Sequence, residues 1–296
     1  MKKLRTGLVT EAIEIATAKG VDHTVKSRVV EQKSCTITTV VIDNDIDAEK
    51  LEREKGKYIT VQMDKVYEIT DDDFESIVDS IAKIIGEFCN VKHSGRILIA
   101  GIGNREITAD SLGPKTIDRI MVTRGLEKTM PHLICDSAFS SVSAISANVF
   151  GVTGIESAEL IDGISRVLKP SLIIAIDALA TTSIERLCKT IQISNTSLTP
   201  GGGVDNTRKE ISSQQLNVPM ISIGMPTVID VKTILSNAKL SEIQIADILS
   251  DYANSLLAIP PRIDLATDIA AKLIAFSLNK AFHYNMSTED ILKFLY

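Results

Sequence analysis

Leu172-Ile173-Ile174-Ala175-Ile176-Asp177 decides the fold class of this 296-residue chain. An apolar run with no polar alternation fits a strand buried on both faces, the pattern of a parallel sheet covered by helices on either side. An acid follows the run at once. In open α/β sheets ligands bind beyond the carboxyl ends of the strands, so Asp177 is a candidate functional residue by position alone.

Upstream of this strand, Leu160, Ile161, Ile164 and Leu168 recur at helical spacing between Glu156 and Pro170, predicting a helix that feeds it. Ile97-Leu98-Ile99-Ala100 predicts a second central strand, broken by Gly101-Ile102-Gly103-Asn104. Pro114 is placed to open a helix carrying Ile117, Ile120 and Met121, because its missing amide hydrogen costs little in a first turn. The β-branched segments Thr36 to Ile42 and Tyr58 to Val61 predict early strands. Asp71-Asp72-Asp73 precedes Phe74, Ile77, Val78, Ile81, Ile84 and Ile85, an apolar helical face with acids at its N-terminus.

Downstream, Ile191-Gln192-Ile193 and Met220 to Ile223 are strand candidates. From about residue 240 the chain reads as mainly helical, with Ile245, Ile248, Leu256 and Leu257 first and Ile269, Leu273, Ile274 and Leu278 next. The expected architecture is α/β: a mostly parallel central sheet flanked by helices, joined by right-handed crossovers, in a single domain over residues 1–296. No internal repeat or composition shift divides it.

A net charge of -6 and a pI near 5.4 give no global reason to expect nucleic acid or an anionic membrane as partner. The basic start is followed by Glu11 and Glu14 before any apolar stretch of signal length, and the apolar runs are strand-sized, so a cytoplasmic protein without a membrane span is expected. Cys35, Cys89, Cys135 and Cys188 are scattered and form no CxxC pair, which fits reduced thiols. His23, His93, His132 and His283 form neither HExxH nor a compact cluster, so no metal site is expected. Glu106 stands where a dinucleotide fingerprint needs its third glycine, and P-loop and nucleophile-elbow motifs are absent. No cofactor is expected.

Asp110 lies in the loop after the second central strand, just before Pro114. If the two strands are neighbours, Asp110 and Asp177 share one crevice. There an ionised carboxylate can activate water while a protonated partner donates to the carbonyl oxygen or the leaving amine, and mutual repulsion helps to retain the needed proton. The plainer role for either aspartate is a helix or turn cap. Gly101 and Gly103, beside Asn104, permit close approach of a substrate backbone. Gly201-Gly202-Gly203, continuing to Asn206, either presents backbone amides to a carbonyl or simply forms a turn. Thr153, Gly154 and Glu156 combine a tight turn with a helix entry. Glu156 either meets substrate, orients a catalytic partner, or serves the helix terminus.

Several separated segments resemble the germination protease family, the spore peptidases that degrade small acid-soluble spore proteins. They are Gly101 to Asn104 continuing to Asp110-Ser111-Leu112-Gly113-Pro114, Val122-Thr123-Arg124, Gly151 to Glu156, Ala175 to Ala180, Thr190 to Ile193, Pro200 to Asn206, and Val218-Pro219 through Ile223-Gly224-Met225-Pro226-Thr227-Val228. The resemblance implies an atypical aspartic endopeptidase, a fold similar to the hydrogenase-maturation proteases, and a homotetramer. It places the implicated aspartates on Asp110 and Asp177 and the protein in the spore core or forespore. Family members are made as zymogens, whereas here only Met1 to Leu4 precede Arg5-Thr6. The family's Arg-Thr-Asp-Leu becomes Arg5-Thr6-Gly7-Leu8. A metal-dependent maturation-type endopeptidase and a noncatalytic spore-protein-binding relative are the competing expectations.

Overall fold

The computed structural model describes residues 6–89, 95–135, 139–201, 208–238, 240–250, 256–283 and 286–295. Among these residues nine strands form one sheet: β1 (Ser27–Glu31), β2 (Thr36–Ile42), β3 (Gly56–Gln62), β4 (Arg96–Ile102), β5 (Ser141–Asn148), β6 (Leu172–Thr181), β7 (Thr190–Ser194), β8 (Met220–Asp230) and the short β9 (Leu257–Ala258). Their order is β1-β2-β3-β7-β8-β6-β4-β5, with β9 on the end of β8.

The sheet has two characters. β5, β4, β6 and β8 run parallel, as the unbroken apolar run of β6 implies. β1, β2, β3 and β7 form an antiparallel half that joins the parallel core where β7 meets β8.

Side-chain alternation along the strands splits the core into two layers. Ile97, Ile99, Ile174, Ile176, Ile221 and Ile223 face helix α3 (Asp71–Phe88) and the long helix Ile263–Phe282. Leu98, Ala100, Ile102, Ile173 and Ala175 face the crossover helix Ser157–Leu168, through Ala158 and Ile161. Helix α3 forms as expected: Thr70 caps it by accepting from Asp73 N, the three aspartates occupy its first turn, and Ile77, Val78, Ile81, Ile84 and Ile85 are buried. Helix α1 (Val9–Ala18) packs with α2 (Asp45–Leu51) against Val40, Ile42 and Tyr58 of the antiparallel half.

Three expectations need correction. Pro114 does not open a long helix; it is the third residue of a short one, α4 (Leu112–Ile117), so Ile120 and Met121 lie beyond its end. Leu256 and Leu257 do not continue a helix from Ile248: the helix Glu242–Ile248 stops, and Leu257 belongs to β9, paired with Asp230. β6 does not end before Asp177 but runs on to Thr181. No strand was read from Ser27–Glu31 or Ser141–Asn148, and both are strands. Among the described residues no helix is long and apolar enough to cross a membrane.

Candidate active site

The continuation of β6 is lopsided. Pairing with β4 stops at Gly101↔Ile176, while pairing with β8 continues from Asp177↔Gly224 to Thr181↔Ile229 across a bulge at Leu179/Ala180. β4 leads away towards β5, and β6 leads away to the opposite side, towards β7 and β8. The gap between the ends of β4 and β6 is therefore a topological switch point, the place where such sheets bind ligands. Asp177 stands at the first register position beyond the gap.

Asp110 reaches the same place through closely packed backbone. A Cβ on Gly101 would collide with Gly113 O, one on Gly113 with Ile102 O, and one on Gly103 with Asp110 O. The turn Thr108–Asp110 and the start of α4 thus lie directly on the end of β4, in a contact that only glycines permit. Gly103 holds φ at +118°, which side-chain-bearing residues rarely adopt. It directs the Asn104 amide at Asp110 Oδ2, 2.7 Å away, while Asn104 Oδ1 accepts from Glu106 N at 3.0 Å.

The environments of the two carboxyls differ. Asp177 is 2 % exposed. Its Oδ1 accepts from Ala178 N at 2.9 Å and its Oδ2 from Gly201 N at 3.3 Å. Burial, and then the charge of Asp110, pushes its carboxyl up to about 7 against these two hydrogen bonds. Asp110 is half-buried and is also raised by burial, opposed by the Asn104 amide. The two carboxyls sense each other, and Asp177 holds its proton more strongly. Arg208 is the cation whose charge reaches both.

Beside them lies a cavity of about 1030 Å³. Its floor includes Gln192, Ser194, Ser222 and Gly224, and alternation places these on the same sheet face as Asp177, opposite the isoleucines of β7 and β8. Its far wall is the N-terminal segment. Gly7 N donates to Ala180 O at 2.9 Å, Gln192 Nε2 donates to Gly7 O at 2.9 Å, and Gln192 Oε1 accepts from Val9 N at 2.7 Å. Buried Glu11 accepts from Thr182 N and Thr182 Oγ1 at 2.8 Å each, and from the Thr181 hydroxyl. The strand bearing Asp177 and the start of the chain are thereby fastened together.

The remaining expected site residues divide. Gly201 touches Asp177 through its amide, and Glu156 lines the cavity. Thr153 is exposed and closes a local turn, its hydroxyl donating to Ile155 O at 3.0 Å, and Gly154 ends that turn with φ +68°. Gly202, Gly203 and Asn206 lie outside the described residues. Sequence reasoning missed Arg208, Gln192 and Glu11. The available signal was polar Gln192 and Ser194 alternating with isoleucine in a buried strand. Among the described residues no three His, Cys, Asp or Glu side chains gather as a metal-holding group, and Cys35, Cys89 and Cys188 are free thiols.

Fold and site define an α/β protein of the switch-point type, with one buried and one half-buried carboxyl beside a large cleft. A model of the germination protease family matches residues 9–243. Germination proteases of Clostridium perfringens strain 13 and Clostridium acetobutylicum are 34% and 35% identical to the chain, each alignment covering 100% of both proteins. That of Bacillus mycoides is 40% identical over 79% of this chain and 65% of its own length. The chain belongs to the germination protease family. Among solved structures, a NiFe hydrogenase maturation protease from Thermococcus kodakarensis matches 67% of this chain and 99% of its own at 19% identity, with a TM-score of 0.38.

Proposed function

We propose that this protease is an aspartic-type endopeptidase that degrades small acid-soluble spore proteins during germination, with Asp110 and Asp177 sharing the acid/base work. The observation that carries the proposal is the unequal pair itself: Asp177 buried with its carboxyl raised to about 7, and Asp110 more accessible at the same switch point.

In this mechanism Asp110 is the ionised base and Asp177 the acid. Asp110 takes a proton from water as the water oxygen bonds to the peptide carbonyl carbon. Asp177 then gives its proton to the departing nitrogen as the C–N bond breaks, and the pair is left with one proton, as it began. Gly201 and Glu156 line the path of the substrate. Family membership further supports a homotetramer and action within the spore core.

The test compares wild type with Asp110→Asn and Asp177→Asn on a purified small acid-soluble spore protein, with solution mass checking assembly. Both variants are expected to stay folded and to lose about 10²-fold or more in cleavage rate. Full activity in both would reject the assignment, and a correctly assembled wild type that cleaves nothing would favour a binding protein instead.

A further inference from the structure

We infer that Arg208 stabilises the oxyanion that forms when water adds to the scissile carbonyl, an inference resting on the carboxyl-pair hydrolysis proposed above. The first support is place. Arg208 lines the cavity together with Ala178, which follows Asp177, and Gly224, which is the register partner of Asp177.

The second is anchoring. The segment just after Arg208 is tied to the body of the protein by the reciprocal bonds Leu198 N to Ile211 O at 2.9 Å and Ile211 N to Leu198 O at 2.8 Å. The adjacent Lys209 lies 3.7 Å from Glu159 of the crossover helix. Half-buried Arg208 thus stands on a backbone held at a fixed place beside the cavity, which limits the reorganisation needed as charge develops.

The third is availability. The other nearby arginines are engaged: Arg53 donates to Thr6 O at 2.5 Å, and Arg186 donates to Glu14 Oε2 at 2.7 Å. Among the described residues Arg208 forms no ion pair with any carboxylate, although both aspartates feel its charge. Among the described residues, then, this cation acts on both acids without being bound in an ion pair to either, and it can meet a third negative charge.

The chemistry requires such a group. Before attack the pair carries one proton and one negative charge. As Asp110 takes the water proton, that negative charge moves to the former carbonyl oxygen. If Asp177 keeps its proton for the leaving nitrogen, nothing in the pair neutralises the oxygen, and a donor or cation outside the pair takes that role, which Arg208 is placed to fill. Collapse of the intermediate re-forms the carbonyl, breaks the C–N bond and returns the charge to the pair, leaving Arg208 unchanged.

The experiment measures spore-protein cleavage by wild type, Arg208→Gln, Arg208→Lys, Asp110→Asn and Asp177→Asn, with circular dichroism and thermal melting as folding controls. Arg208→Gln is expected to lower kcat by about 10² to 10³-fold with KM changed less than about threefold, and Arg208→Lys to recover part of the loss. The alkaline limb of the Arg208→Gln pH profile should also move upward, because a lost positive charge lets Asp177 keep its proton longer. If Arg208→Gln retains kcat, or raises KM alone, while the aspartate variants are inactive, this inference falls and the carboxyl mechanism stands. Active aspartate variants would overturn both.

Discussion

Asp177 is a carboxyl that the fold keeps partly protonated at neutral pH, and this has two consequences of opposite sign. Its folded value of about 7 lies above the ordinary 3.8, so its contribution to stability is fully present below 3.8 and is lost as pH rises through about 7. Asp177→Asn removes that loss. The variant should therefore be more stable than wild type at pH 8, by about 1.4 kcal/mol for each unit of the shift relieved, with the advantage vanishing near pH 4 in thermal unfolding. In the proposed mechanism activity needs Asp177 protonated and Asp110 ionised, which predicts that kcat of the wild type declines above about pH 7. Gly103→Ala gives a separate test: its Cβ meets Asp110 O at a φ of +118°, so it should destabilise by about 1–3 kcal/mol and lower cleavage by displacing Asp110. At this scale the aspartates were legible as candidates because Asp177 directly follows an apolar run and Asp110 lies in the loop after another. Arg208 was not, since nothing in a lone arginine after a glycine loop tells which carboxylates it will face.

Between elements, the contact most open to test is the one joining the start of the chain to β6. Gly7 stands where relatives carry an aspartate by resemblance, and an added Cβ would lie 2.8 Å from Leu179 Cβ. Gly7→Asp is thus expected to lower stability by about 1–3 kcal/mol rather than to restore function, as differential scanning calorimetry would show. Glu11→Ala should cost about 1–3 kcal/mol, because it strips the Thr181 and Thr182 donors of their buried acceptor. Helix α3 and strands β2, β4, β6 and β8 were readable from period and β-branching. β5, written Ser-Val-Ser-Ala-Ile-Ser-Ala-Asn, was not, because its small polar residues have low strand propensity and only pairing with β4 makes it a strand. α4 stops at Ile117 despite the helical spacing of Ile117, Ile120 and Met121, and beyond it Met121 N donates to Asn279 Oδ1 of the long helix at 2.9 Å, a tertiary bond that replaces a helical one.

For the molecule as a whole, the parallel core was inferable from one apolar run, whereas the antiparallel half was not, since strand direction depends on partners far away in the chain. The division matters for the site. The parallel core supplies both aspartates and, through β8, part of the floor of the cleft, while the antiparallel half, through β7 and helices α1 and α2, supplies the rest of the floor and the far wall. The edge strand β1 leaves Val29 and Val30 exposed, an unpaired border of the kind that proteins usually cover or guard.

Beyond Ile176, β6 is bonded along its β8 flank as far as Thr181, and on the flank that β4 has left it stays unladdered until Gly7 meets Ala180. What remains beside Asp177 is a short stretch of strand edge that no neighbouring strand covers among the described residues. If cleavage takes place there as proposed, a stretched polypeptide reaches that edge directly and a helical one must first unwind, which predicts faster hydrolysis of chains that have already come undone.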